Sequence, residues 1–355
     1  MEESAPKLTW KGRLIATIVG LLLLIVISEG VLRVGMPHWR DFYSGWFMRL
    51  ISVPDHGNVA TGQPGFDGYF AQNNGDFHVH IKINNFGLRN QEPVEKANKR
   101  TWVIGDSMAF GWGVEQQEMY SSVLGTKLVS KTYNVASPGT NVCGYQALLS
   151  RMPKDLVPAA VVVGLILEND MAVYDCKHAA REQEKQKVSS KDINGGPLTW
   201  IGVKRYLTGI SALYNFAVVG LKRVNFIREL FTKVGLIRKP IEYKGLFSDD
   251  IFKSVVTTTV DEIEVLKKML PENTLLSVLI APGRFELVRD DIFYKRLRLA
   301  VRSELEKRNI RFVDPFSRFK EAGYENIHFA HDGHWTPLGH KLAAEELSKA
   351  LKPQL

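Results

Sequence analysis

Cysteine is scarce in this chain. Cys143 and Cys176 are the two in 355 residues, and they lack the CxxC spacing of a metal-binding thiol pair. They stand either as two unrelated buried thiols or, in an oxidising compartment, as one disulfide. Low-complexity tracts and internal repeats are missing, and 45% of the residues are hydrophobic, which excludes a disordered chain. No helix-turn-helix, zinc-finger or RNA-binding signature is present. Basic residues are dense over 181–244, but stacking aromatics do not alternate with them as in a single-strand groove, so a nucleic-acid partner is excluded. The net charge of +8 is spread along the chain, and attraction to an anionic membrane or an acidic polymer accounts for it.

Long hydrophobic runs are also few. The one near the N-terminus, LIATIVGLLLLIVIS from Leu14, carries no charge and with EGVLRVG reaches the ~20 residues that cross hydrocarbon. It is apolar on all sides, unlike a core helix. Lys7, Lys11 and Arg13 precede it, which favours a cytoplasmic N-terminus. Ser28-Glu29-Gly30 follows it without a small-x-small cleavage site, so an uncleaved signal anchor is expected rather than a removed signal peptide. The expected layout is a cytoplasmic 1–13, a transmembrane anchor at 14–35, a connecting and lead-in segment at 36–100 and a main domain at 101–355. That places the main domain outside the cytoplasm, in the periplasm of a Gram-negative cell.

From Thr101 the pattern changes. TWVIG, TYNVAS, AAVVVGLIL, LLSVLIAP and IRFVDP are short runs rich in branched apolar residues, as buried strands should be. Helical patterns lie between them at 116–130, 144–151, 249–270 and 290–308, and a closing helix is expected at 337–351. Strands alternating with helices imply a parallel sheet covered on both faces. The interval 171–248 breaks the rhythm and reads as an insertion, a polar loop followed by one or two apolar-basic helices. These either pack on the domain, form a lid, or lie against the membrane.

Parallel sheets bind ligands beyond the carboxyl ends of their strands. After TWVIG the chain reads GDSMAFGWG, with Gly105, Asp106 and Ser107. After TYNVAS it reads PGTN, with Gly139, and after VVVGLIL it reads Glu168-Asn169-Asp170. After the last strand comes HFAHDGHWTPLGH, with His328, His331, Asp332, His334 and His340. Four strand ends thus supply a hydroxyl, backbone N–H groups, a carboxamide and an imidazole beside an acid. That inventory suits acyl transfer: an imidazole takes the serine proton, a carboxylate orients the imidazole, and aimed donors hold the oxyanion. A metal reading of the histidines would leave Ser107, Gly139 and Asn169 without a task, and Gly333 and Pro337 argue for a loop rather than a ligand-bearing helix.

These motifs, in this order, resemble the SGNH (GDSL-type) hydrolase family over roughly residues 101–351, and INNFGLR at 83–89 resembles a lead-in of its bacterial members. The resemblance implies a three-layer α/β/α, flavodoxin-like domain with a central mostly parallel sheet, and no cofactor or metal. It implies Ser107 as nucleophile, Ser107, Gly139 and Asn169 as the oxyanion hole, and His334 as general base. The family places its acid three residues before that histidine, where His331 stands here. Asp332, two before, is taken as the acid, since the D-x-H-W form is similar to that of members tied to polysaccharide O-acetylation.

The expected activity is a serine esterase acting on O-acyl, in the first place O-acetyl, groups of an extracytoplasmic carbohydrate or lipid. Two alternatives stay open: an O-acyltransferase with the same serine, and a non-catalytic carbohydrate-binding or assembly protein. Protein partners are not legible. A Cys143–Cys176 disulfide would brace the oxyanion hole, because both cysteines follow strand ends on the same edge of the sheet.

Overall fold

The computed structural model describes residues 9–72, 75–185, 200–220 and 249–351. Helix α1 spans Trp10–Gly35, and the Thr9 side chain caps it by accepting from the Gly12 N–H at 3.2 Å. At 1.5 Å per residue it is about 39 Å long, enough for ~30 Å of hydrocarbon. None of its residues is buried, so it is not a core helix.

Two antiparallel hairpins follow, β1 (Met48–Val53) with β2 (Gly57–Gly62), and β3 (Asp67–Ala71) with β4 (His78–Lys82). The central sheet contains β5 (Thr101–Gly105), β6 (Thr132–Asn134), β7 (Ala160–Ile166), β8 (Leu275–Ala281) and β9 (Arg311–Val313). All of its neighbours are parallel, in the order β6-β5-β7-β8-β9. The chain moves one way from β5 to β6 and then crosses back to β7, so a crevice opens at the carboxyl ends of β5 and β7.

Helices α2 (Ser107–Phe110), α3 (Tyr120–Lys127), α4 (Val142–Ser150) and α5 (Cys176–Lys185) precede α6 (Trp200–Ile210) and α7 (Ala212–Gly220). After them come α8 (Asp249–Lys268), α9 (Arg284–Arg289), α10 (Ile292–Lys307), α11 (Phe316–Ala322), α12 (Tyr324–Ile327) and α13 (Pro337–Leu351). Strand side chains alternate between two cores, as a period of two requires. Trp102, Ile104, Val161, Val163, Val278 and Ile280 pack against α4, α8 and α10. Val103, Val162, Leu279 and Val313 pack against α2, α3 and α13, and this second core continues into Phe70, Phe77, Val79 and Ile81 of the β3–β4 hairpin. The result is the three-layer α/β/α domain, with an apolar N-terminal helix in addition.

One helical pattern divides where local capping intervenes, and another keeps its expected bounds to within two residues. The span 116–130 is a 3₁₀ turn at Gln116–Glu118, closed by reciprocal Glu115 and Glu118 bonds, and then α3 after an extended Met119. The span 290–308 is α10 alone. Asp290 is left-handed, and Asp291 starts a new helix by accepting from the Phe293 and Tyr294 N–H groups. Of the expected insertion at 171–248, residues 186–199 and 221–248 lie outside the described residues.

Candidate active site

Ser107 opens α2 at the carboxyl end of β5, where the Asp106 carboxylate caps the helix by accepting from the Met108 N–H at 2.8 Å. This four-residue helix rests on Arg89, which is fully buried. The Arg89 guanidinium donates to the carbonyls of His80, Phe110, Gly111 and Val114. Burial pulls its pKa down to about 9, which leaves it a cation at neutral pH. The INNFGLR segment therefore carries a prop beneath the serine. Its Asn84 accepts from the Phe86 and Leu88 N–H groups, each at 3.0 Å, and folds the segment into that position.

The Ser107 hydroxyl lies 2.8 Å from His334 Nε2, closer than its other polar neighbour, the Asp106 carboxylate at 3.4 Å. His334 Nδ1 is hydrogen-bonded to Asp332 Oδ1, and the same oxygen accepts from the His334 backbone N–H at 3.1 Å. That double contact is an Asx-type turn, in which an acid two residues upstream can still reach the ring. Asp332 Oδ2 accepts from Gln72 Nε2 at 2.7 Å. The position three before the histidine faces elsewhere: His331 bonds Asp76 through both its backbone N–H (3.1 Å) and Nδ1 (2.8 Å). Gln72 and Asp76 both follow β3, so that hairpin grips the 328–336 loop at two points. Between acid and base, a β-carbon at Gly333 would overlap the Arg284 guanidinium. Arg284 is held in turn by Glu168, at 2.7 Å from both Nε and Nη2. Trp112 stacks on the His334 ring (centroids 5.6 Å, 29°), and Trp335 is buried against Phe319 and Tyr120.

Gly139 sits in the loop after β6 with φ +72°, a conformation that favours glycine. Among the described residues no acceptor takes the backbone N–H of Ser107 or of Gly139. The Asn169 amide has two N–H donors, and Asp106 accepts from it. Asp106 thus touches Ser107, Met108 and Asn169 at once, and burial raises its pKa. Asp170, next in the chain, points into the core. Its Oδ2 takes the Tyr145 hydroxyl at 2.6 Å and the Ile166 N–H at 2.5 Å, and burial pushes its pKa well up. Gly105, Asp106, Ser107, Gly139, Asn169, Asp332 and His334 therefore converge on one rim, while Asp170 stands behind it.

Ser107, Asn169 and His334 border two cavities. One, of about 510 Å³, is lined by Asn58, Gly139, Asn141 and Gln183 among others. The other, of about 100 Å³, lies between Ile166, Ala281, Pro282 and Trp335. Cys143, just after the Gly139 loop, is disulfide-bonded to Cys176 at the start of α5, with Cα atoms 5.1 Å apart. This removes the reading of two separate thiols.

The remaining histidines of 328–340 point apart. His328 stacks on Tyr324 (4.2 Å, 18°), and burial lowers its pKa to about 4. His340 is fully buried with its pKa down to about 3, and its Nδ1 accepts from the Tyr120 N–H at 3.2 Å, at the start of α3. His38, Asp41 and His78 form a separate group whose ligating atoms lie within 4.8 Å of one another. The His38 and His78 rings are stacked at 3.9 Å and 30°, so both would have to rotate to aim lone pairs at one ion ~2 Å away.

Gln72, Asp76, Arg89, Trp112 and Arg284 escaped the sequence reading. The one available signal was Arg89 inside INNFGLR; the others join segments far apart in the chain.

No protein-family model and no curated protein sequence matches this chain. Among solved structures it is similar to a lipolytic protein of the G-D-S-L family from Veillonella parvula, at 12% identity and a TM-score of 0.40, covering 72% of this chain and 99% of that one. A family two carbohydrate esterase from Clostridium thermocellum in complex with cellohexaose is similar at 14% identity and a TM-score of 0.39, over 75% of this chain and 66% of that one. A carbohydrate esterase family 2 enzyme from Corynascus thermopiles, which carries a carbohydrate-binding domain, is similar at 14% identity and a TM-score of 0.40, over 74% and 67%.

Proposed function

We propose that the protein is a serine esterase of the SGNH type that removes short O-acyl groups from a carbohydrate or lipid outside the cytoplasm. The observation that carries this reading is the unbroken relay Ser107–His334–Asp332, with 2.8 Å between hydroxyl and imidazole. As the Ser107 oxygen bonds to the ester carbonyl carbon, its proton passes to His334 Nε2. Asp332 stabilises the imidazolium, and Gln72 holds Asp332. The carbonyl oxygen, now an anion, takes hydrogen bonds from the Ser107 and Gly139 N–H groups and the Asn169 amide. The carbon–alkoxide bond then breaks, His334 returns the proton to the leaving alcohol, and water releases the acyl group by the same steps in reverse roles.

Two observations favour a short acyl group on a polar alcohol. The smaller cavity, about 100 Å³, is well below the ~300–1,000 Å³ of ordinary small-molecule pockets, which suits a short acyl group. The larger one is wide and presents amides and hydroxyls, as a sugar would need. The disulfide and the apolar α1 support placement outside the cytoplasm.

The test is acetate release from an acetylated oligosaccharide by wild-type protein and by Ser107→Ala. Release by the wild type alone supports the reading. Transfer of the acetyl group to a second oligosaccharide, without free acetate, makes the protein a transferase, and no turnover of either kind favours a binding protein.

A further inference from the structure

The sequence places Glu29, the one acidic residue of α1, toward the end of its apolar stretch. The uncharged stretch from Leu14 to Ser28 is about 22 Å long, short of the ~30 Å hydrocarbon layer. If α1 spans a bilayer, the layer extends past Ser28 into the Val31–Val34 turn, and Glu29 stands at the acyl boundary. An ionisable group at that depth needs a partner. Glu29 has a complete set. It accepts from the Ser211 hydroxyl (2.8 Å) and from the Ala212 and Leu213 N–H groups (2.9 Å each), adding to the cap that Ser211 itself supplies by accepting from the Tyr214 N–H at 3.0 Å, and it pairs with Arg33 at 2.7 Å. Arg33 Nη2 donates to the Ile210 carbonyl at 2.6 Å, so the end of α6 and the start of α7 are both bound to α1.

The α6–α7 pair has the chemistry of a boundary element. Val203, Tyr206 and Ile210, at i, i+3 and i+7 on α6, are exposed, as is Phe216 on α7. Lys204 lies over the Tyr43 ring at 5.5 Å and Arg205 over Trp46 at 5.2 Å, beside Arg33 and Arg40 over Trp39 at 5.1 Å. Aromatic rings with basic side chains gather at the headgroup level of membrane proteins, where the cations meet anionic lipid.

We infer that α6 and α7 lie in the lipid boundary beside the outer end of α1, which stays in the mature protein as part of the fold. Glu29 acts as the joint. Removing α1 would leave the Ala212 and Leu213 N–H groups at the start of α7 without their acceptor. The anchor is therefore a three-helix platform that sets the height and tilt of the domain above the bilayer. This inference rests on α1 as a membrane anchor and makes no use of the chemistry at Ser107.

The test uses the full chain in vesicles of phosphatidylcholine and phosphatidylglycerol, with an environment-sensitive fluorophore on a single added thiol. The native cysteines are bonded to each other, so Ile210→Cys, Phe216→Cys and the control Val129→Cys each present one reactive group. Lipids spin-labelled near the headgroup are expected to quench, and the bilayer to blue-shift, the labels at 210 and 216 and not the label at 129, which is 93% exposed in the native protein. Glu29→Gln is expected to weaken quenching at 216. Should either cysteine variant misfold, Val203→Cys on the same face takes its place. Labels at 210 and 216 that behave like the one at 129 would overturn the proposal. So would an intact mass showing that the mature protein begins after α1. Because the vesicles contain no other protein, quenching reads lipid contact directly, and fluorophosphonate labelling of Ser107 reports separately on the esterase reading.

Discussion

The two halves of the candidate site are held in different ways. Ser107, Gly139 and Asn169 stand at the ends of neighbouring strands, so the sheet itself sets their spacing, and Asp106 ties two of them together. Asp332 and His334 lie on a loop with a single isolated bridge, His328 to Trp335. Their position depends on side chains from elsewhere: Gln72 and Asp76 from the first hundred residues, and Arg284 after β8. A strand-end residue is placed by backbone pairing that many residues share. A loop residue is placed by a few bonds, each of which one substitution can remove.

The comparison breaks first at Asp332. In Asp332→Asn the Gln72 contact survives but the charge facing the imidazolium is gone. We expect kcat to fall by ~10⁴-fold with the fold intact, read from ester hydrolysis and circular dichroism. On the strand-end half, Asn169→Ala removes the amide that we propose as an oxyanion donor and should lower kcat by ~10²–10³-fold with little change in KM. A rise in KM of the same size, with kcat unchanged, would mean that Asn169 serves binding instead.

His340 tests the burial behind the loop half. The unfolded chain binds a proton on this residue below its ordinary pKa of 6.5, whereas the folded chain resists until about pH 3. More protons on the unfolded state means that stability is complete above pH 6.5 and is lost as pH falls toward 3, at up to ~1.4 kcal/mol per pH unit. The difference in urea midpoint between pH 7 and pH 4.5 should shrink in His340→Gln, and an unchanged difference would exclude His340 as the cause.

Gln72→Ala is the mildest and most discriminating change. It removes one hydrogen bond to a charged group, worth ~1.5–3 kcal/mol at most, and we expect a ~10-fold loss in kcat. Gln72→Glu should do more harm, because it sets a second carboxylate against Asp332. Equal, small effects from both variants would mean that the hairpin does not position the acid.

Much of the fold and half of the site were legible because their signals are local. Branched apolar runs marked all five central strands, and Ser107, Gly139 and Asn169 each stand just beyond the end of one such run. Where local capping cut a helix, as at Glu115–Glu118 ahead of α3, the helical pattern of 116–130 ran on across the break and hid it. The grip of residues 72–89 on the site was illegible for a different reason. Gln72 and Asp332 are 260 residues apart, and nothing in a polar loop such as AQNNGD says which distant acid it will meet. The spacing of Asp332 looked like a departure, and the Asx-type turn at His334 is the local device by which it reaches the ring. The cysteines were readable only as alternatives, since pairing is a statement about distance.

The central claim is that Ser107 is a nucleophile activated by His334. Treatment of the intact protein with a fluorophosphonate, followed by peptide mass analysis, tests it directly. The account predicts one adduct, on Ser107, that is lost in Ser107→Ala and strongly slowed in His334→Ala. A wild-type protein that stays unlabelled under conditions that modify a known serine esterase, or an adduct on another residue, would contradict it.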